Sequence, residues 1–239
     1  MSKKALLQSF REGWEKLKPM TWKQRVDHIW TYYKAVVLFA SVAIILPVAV
    51  IISIATKKDV AFSGMAINVD MRKVGVTYLT DDWFDRIGGD PKKEIAELYA
   101  NALDPEQGEL ESTYGVAMST IARAESKTLD YLLVDQVALE FYIVQEIYMD
   151  LRCVFTEEEL AAFGAENVIK ITPEDDPTVM IPIAINITEM AFAKDCLEAD
   201  GTIYFSFVGQ EEKASLYREF WAYLLAWEET DYHKELASK

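Results

Sequence analysis

Three short polar segments carry the side chains that could bind a ligand. They are Asn68-Val69-Asp70, Asp135-Gln136 and Asn186-Ile187-Thr188. Each follows an apolar stretch that predicts a strand, so each is expected at the point where a strand ends and a loop or a helix begins. Carboxylate, amide and hydroxyl groups at such points can hydrogen bond a small molecule in a cleft. Turn formation and helix capping, for which Asp135 and Thr188 are well suited, are the alternative interpretation.

Motifs for covalent or metal chemistry are absent from the sequence. Of the two histidines, His28 and His233, only the second lies in the C-terminal region, so neither a Ser-His-Asp triad nor a histidine-based zinc site is expected there. There is no glycine-rich nucleotide-binding motif and no calcium-binding loop. We therefore predict a protein that is not an enzyme and has no metal and no cofactor. The sequence leaves open whether Cys153 and Cys196 form a disulfide.

The elements that must position these polar segments alternate between strands and helices. Strands are predicted at 61–69, 129–135, 168–172, 179–188 and 201–209, and helices at 83–88, 91–103, 114–128, 137–151, 157–164, 189–197 and 211–227. The helix at 91–103 is predicted because Asp90 is a good N-cap and Pro91 suits the first helical position. This alternation predicts an α/β domain with a mixed or parallel sheet.

A second feature, residues 35–56, is a run of 22 residues without a charge. As a helix it would be about 33 Å long, enough to cross a hydrocarbon core of about 30 Å. It predicts a single transmembrane helix that contains Pro47. Thr21 is expected to cap a preceding helix that runs directly into this span.

The distribution of charge predicts the orientation of this span. Residues 1–34 carry eight Lys and Arg against three Asp and Glu, whereas residues 35–239 carry 16 against 36. Basic residues favour the cytoplasmic side, so we expect residues 1–34 inside and residues 57–239 outside the cell membrane. The acidic outer region argues against nucleic acid as a partner. The predicted partners are the lipid bilayer and a membrane protein such as a transporter.

Residues 3–18 place five large apolar side chains on one face of a predicted helix that ends before Pro19. Two alternatives remain for this cytoplasmic amphipathic helix. It can lie in the membrane interface, or it can pack on a partner or on the next segment.

Parts of the outer region resemble bacterial extracellular solute-binding proteins of the type 2 periplasmic-binding fold. The resemblance lies in LDYLLVDQVALEFYIVQEIYMDL at 129–151, in TEEELAAFG at 156–164 and in TIYFSFVGQEEKASLYREFWAYLLAW at 202–227. Residues 19–37 are similar to the lead-in of small bacterial signal-anchored proteins. Since the family has two full lobes, about 180 residues imply a reduced version of that fold, and no ligand-binding residue can be carried over.

The sequence thus predicts a single-pass, signal-anchored membrane protein with an extracytoplasmic α/β domain. This domain would recognise a small solute or an envelope component without covalent chemistry. The alternative is an accessory or structural subunit of a membrane complex, such as a transporter, that binds no small molecule.

Overall fold

The computed structural model describes residues 19–103, 110–173 and 178–228. The chain divides into two units, Met1–Lys57 and Lys58–Lys239. The amphipathic helix predicted at 3–18 lies outside the described residues.

Helix α1, Trp22–Thr56, dominates the first unit and contains Pro47. It begins after Thr21, whose backbone N–H donates to the Gln24 side chain at 3.0 Å, the arrangement of a capping box. The prediction that one helix runs from Thr21 through the apolar segment is confirmed. Most described apolar side chains between residues 36 and 51 are exposed, namely Val36, Val37, Leu38, Phe39, Val42, Ile44, Ile45, Leu46, Val48 and Ile51.

Within the described residues, no helix is both long and apolar enough to cross a bilayer.

The second unit is built on a six-stranded mixed sheet, which confirms the predicted α/β class. Its strands are β1 (Asp59–Ile67), β3 (Glu94–Asn101), β4 (Tyr131–Val134), β5 (Val168–Ile171), β6 (Ile181–Asn186) and β8 (Tyr204–Phe207), and β2 (Asp70–Met71) and β7 (Leu197–Glu198) form a separate pair. The order in the large sheet is β3-β1-β4-β8-β6-β5. Strand β1 is parallel to both β3 and β4, and the remaining neighbours are antiparallel.

Helices cover both faces of this sheet. They are α2 (Lys73–Thr77), α3 (Trp83–Arg86), α4 (Leu110–Glu125), α5 (Gln136–Ile143), α6 (Glu157–Ala162), α7 (Ala191–Cys196) and α8 (Ala214–Leu225). A π-helical turn, Tyr78–Asp82, joins α2 to α3.

Alternation along the strands divides the buried side chains into two cores. Tyr131 and Leu133 of β4 face a core shared with α2, α3, α7 and α8. Leu132 and Val134 point the other way, into a core shared with α4 and α5. Because successive strand residues project to opposite faces, a strand that is apolar throughout must be buried on both sides. This burial explains why LDYLLVD carries no polar residue between its two aspartates.

The prediction of a helix at 91–103 is wrong, because most of this segment forms strand β3. Asp90 makes only a turn, in which its carbonyl accepts from the backbone N–H groups of Lys93 at 2.9 Å and Glu94 at 2.8 Å. From Glu94 onward the chain pairs with β1 over eight residues. Pairing with β1 and burial of Ala96 against the sheet outweigh the local helical signal.

The helix predicted at 137–151 is too long. Helix α5 ends at Ile143, and Glu146 follows with φ 53°, in the left-handed region that no α-helix continues through. The chain then turns back, so that Met149 N–H donates to the Phe207 carbonyl at 2.9 Å. This tertiary contact fixes the path of residues 144–150 beside β8.

Candidate functional site

An open cleft of about 940 Å³ lies at the carboxyl ends of the parallel strands β1, β3 and β4. Its described lining consists of Asn68, Val69, Asp70, Ala100, Asn101, Ala102, Leu103, Asp135, Val137, Glu198, Ala199 and Asp200. Three of the six residues predicted from the sequence, Asn68, Asp70 and Asp135, lie in this cleft.

The topology explains why a cleft opens at this edge. After β1 the chain passes to α2, which packs in the first core, whereas after β4 it passes to α5, which packs in the second. Strands β1 and β4 are neighbours in the sheet. Since the helices that follow them pack in different cores, the two connections leave toward opposite faces of the sheet. Such a divergence opens a crevice outside the carboxyl ends of the strands, which is where open α/β sheets bind ligands.

Asn68 ties the ends of all three parallel strands together. Its Nδ2 donates to the Leu103 carbonyl at 2.7 Å and its Oδ1 accepts from the Leu103 N–H at 2.7 Å. The same Nδ2 donates to Asp135 Oδ2 at 3.2 Å. Asn68 has φ 57°, a left-handed conformation that asparagine tolerates better than most residues. The side chain therefore has a structural role at the base of the cleft.

Asp135 follows β4 and is the N-cap of α5. Its Oδ1 accepts from the Ala138 N–H at 2.8 Å, while Oδ2 accepts from Asn68. The capping interpretation of Asp135 is confirmed, and the residue also lines the cleft. Both hydrogen bonds come from neutral donors, so neither removes the negative charge of the carboxylate.

The small antiparallel pair β2–β7 forms another wall of the cleft. Here Asp70 lies directly opposite Glu198 in the register, so the two acidic residues are neighbours across the pair. Arg72 donates from Nε to Glu198 Oε1 at 2.8 Å and offsets one of these charges. Asp200 extends the acidic wall beyond β7.

Gln136, Asn186 and Thr188 do not line the cleft, although they lie along the same edge of the sheet. Gln136 Oε1 accepts from the Tyr204 hydroxyl. Asn186 Oδ1 accepts from the Thr188 hydroxyl at 2.7 Å, and Thr188 Oγ1 accepts from the Ile203 N–H at 2.9 Å. These bonds fix the loops that follow β6 and precede β8.

Thr188 is not the N-cap that its position before the predicted helix suggested. Met190 takes that place and α7 begins at Ala191. The hydroxyl of Thr188 instead serves the long-range contact with Ile203.

The sequence did not indicate Asn101, Glu198 or Asp200 as site residues. Asn101 ends β3, which was predicted as a helix, so its place at a strand terminus was hidden. Glu198 and Asp200 lie in the stretch Glu198-Ala199-Asp200-Gly201, whose glycine has φ 132°. An acidic turn between predicted elements was the only signal, and such turns are common on surfaces.

Within the described part of the chain, no group of three or more His, Cys, Asp or Glu side chains is placed to hold a metal ion. No disulfide joins the two cysteines. Cys153 is exposed, whereas Cys196 is buried. Partial burial raises the pKa of the Cys153 thiol, and the nearby carboxylates of Glu211 and Asp150 add to this. Chemically, the cleft offers carboxylate acceptors, amide groups and apolar walls, which are suited to non-covalent recognition.

Comparison of the chain with protein-family models, curated protein sequences and solved structures found no match. The resemblance to solute-binding proteins therefore rests on the sequence pattern at 129–164 and 202–227.

Proposed function

We propose that this chain is a membrane-anchored binding protein whose second unit captures a small solute or envelope component in the cleft. The observation that carries the proposal is the position of the cleft, at the carboxyl ends of β1, β3 and β4 where neighbouring connections diverge. Its volume of about 940 Å³ lies within the range of about 300–1,000 Å³ found for small-molecule sites. Its walls combine exposed apolar side chains such as Val137 with polar groups.

The membrane anchor in this proposal is the apolar part of α1. One support is the run of 22 uncharged residues at 35–56. The other is the exposure of its large apolar side chains, for example Phe39, which is 78% exposed, and Ile44, which is 65% exposed. Apolar surface of this kind is costly in water and favourable in a hydrocarbon core. The excess of basic residues before this stretch supports an N-terminus in the cytoplasm and a second unit outside.

The chain enters the second unit at the amino end of β1, whereas the cleft lies at the carboxyl end of that strand. Asp59 begins β1, with only two residues between it and the end of α1, whereas Asn68 follows the carboxyl end of the same strand. Nine strand residues at about 3.3 Å each separate these points by about 30 Å.

Solute binding is tested by thermal melting of the full chain in a mild neutral detergent with a panel of sugars, amino acids, peptides and amines. A ligand that binds the folded state raises the melting temperature by mass action. Ala100→Trp, at an exposed alanine that lines the cleft, should abolish the rise by filling the site. Ala161→Trp, at an exposed alanine of α6, is the matched control and should keep it. A flat response of the wild-type protein across the panel refutes solute binding.

Orientation is tested by protease treatment of intact cells that produce the protein with a tag at its C-terminus. External protease should remove the tag and digest the second unit, while permeabilised cells show cleavage on both sides. Protection of the tag in intact cells would contradict the proposed topology.

An accessory subunit is the second candidate, favoured by the exposed face of α4. Tyr114 is 66% exposed and Met118 is 49% exposed one turn later, a pair that suits contact with another protein. This candidate predicts a stable complex in mild detergent that is lost in Tyr114→Glu/Met118→Glu. Solute binding without such a complex would reject it.

A further inference from the structure

We infer that the ligand of the cleft is a small organic cation, a molecule that carries ammonium or guanidinium groups on a short carbon chain. This inference rests on the proposed binding function and specifies its ligand class.

The charge of the lining carries the inference. Four of the twelve described lining residues are acids, namely Asp70, Asp135, Glu198 and Asp200. Lys, Arg and His do not occur among the described lining residues. An anionic ligand would therefore meet only like charge on the described walls, an arrangement that disfavours its binding when the groups are close.

Three of these carboxylates lack a balancing cation among the described ion pairs. Arg72 pairs with Glu198, but no described salt bridge includes Asp70, Asp135 or Asp200. Asp135 is already oriented by Ala138 and Asn68, so its charge is held at a fixed place beside the cleft. A cationic ligand would supply the missing positive charge and charge-assisted hydrogen bonds.

The remaining lining distinguishes an organic cation from a bare metal ion. A cleft of about 940 Å³ greatly exceeds the space that one ion requires, and the described acids do not form a metal-binding group. Ala102 and Val137 are exposed and offer apolar surface to carbon atoms. Asn101 adds an amide group at the end of β3. Ammonium groups joined by methylenes match both kinds of surface.

The test compares three ligands of equal chain length that differ in charge. Cadaverine is a dication, 1,5-pentanediol is neutral and glutarate is a dianion. Binding of each to the full chain in a neutral detergent is measured by isothermal titration calorimetry at low and at moderate salt. We expect cadaverine to bind, with spermidine as a longer cationic probe, and we expect affinity to fall as salt screens the carboxylates.

Variant proteins connect this binding to the cleft. Asp70→Asn/Asp200→Asn removes two charges from the lining with little change in shape and should weaken cadaverine and spermidine at least tenfold. Asp81→Asn/Asp85→Asn removes two charges from exposed residues outside the lining and should leave the affinity within twofold.

Different failures have different meanings. If pentanediol or glutarate binds as tightly as cadaverine, or if only calcium or magnesium ions bind, the ligand class is wrong. If the cations do not bind but another solute does, and Ala100→Trp abolishes that binding, the class is wrong and the binding function stands. If no solute binds the wild-type protein at all, both the class and the binding function are refuted.

Discussion

Asn68 donates a hydrogen bond to Asp135 across 3.2 Å, although the two residues are 67 positions apart in the chain. The bond joins the carboxyl ends of β1 and β4, the two strands whose connections leave on opposite faces of the sheet. It forms the base of the cleft and fixes the distance between two of its walls.

Replacement of Asn68 by alanine should destabilise the second unit by about 2–4 kcal/mol. The variant loses two hydrogen bonds to Leu103 and one to Asp135, each worth about 1 kcal/mol, and forces alanine into a left-handed conformation that costs about 1 kcal/mol more. Urea denaturation followed by tryptophan fluorescence measures the loss. Asn68→Gly removes the backbone cost and should recover about 1 kcal/mol, whereas equal stability of the two variants would show that the conformation costs nothing.

The contribution of the buried Asp130 carboxylate to stability should depend strongly on Lys213. Asp130 Oδ1 accepts from Lys213 Nζ at 2.7 Å and from the Tyr217 hydroxyl at 2.9 Å, and Oδ2 accepts from the Ser63 N–H at 2.8 Å. Asp130→Asn leaves the ammonium group without its counter-charge and should cost about 2–3 kcal/mol. A double-mutant cycle with Lys213→Met should give a coupling energy above about 1 kcal/mol. The exposed pair Lys194–Glu189 should give less than this, and the reverse order would contradict the argument.

The loss of stability caused by a side chain at position 64 should depend on the size of the residue at position 131. A Cβ on Gly64 would lie 2.0 Å from Tyr131 Cζ, so Gly64→Ala should destabilise the fold severely. Adding Tyr131→Leu, which clears this space, should reduce the penalty of Gly64→Ala measured by denaturation. If Gly64→Ala costs the same in both backgrounds, the close approach of the ring is not what requires glycine.

Tyr131→Phe alone should be neutral or stabilising by up to about 1 kcal/mol. The Tyr131 hydroxyl is buried and has no hydrogen-bond partner among the described residues, so its removal ends the cost of burying an unpaired polar group. Thermal melting at neutral pH measures the effect. A loss of more than 1 kcal/mol would mean that the hydroxyl has a partner.

Stability should fall at alkaline pH, in part because of Tyr78. Burial raises the pKa of Tyr78 to about 12, against about 10 in an unfolded chain. Between these values the unfolded chain releases the proton while the folded protein keeps it, so the free energy of unfolding decreases as pH rises from about 10 to about 12. Tyr78→Phe should make this decrease shallower in denaturation series at several pH values. Tyr114→Phe, at an exposed tyrosine, should leave it unchanged.

Short-range patterns were enough to predict most of the elements. The uncharged stretch at 35–56 and the N-cap expected at Thr21 predicted a continuous helix, and α1 follows it. The helix predicted at 157–164 is confirmed as α6, and its N-cap Thr156 accepts from the Glu159 N–H. The alternation of strands and helices predicted the mixed α/β sheet. For the two helices, neighbouring residues along the chain supply the capping interaction, so the local sequence contains the information.

Only the tertiary structure decided the path of residues 91–103 and the composition of the cleft. Strand β3 forms because β1 offers it eight residues of parallel pairing, a gain that local helix propensity does not reflect. Asp70 and Glu198 face each other because β2 pairs with β7, more than 120 residues later in the chain. The sequence by itself determined the long helix with its uncharged stretch, the acidic second unit and the α/β class. Packing between distant strands decided which acids share one cleft, because contacts over such separations depend on the whole fold.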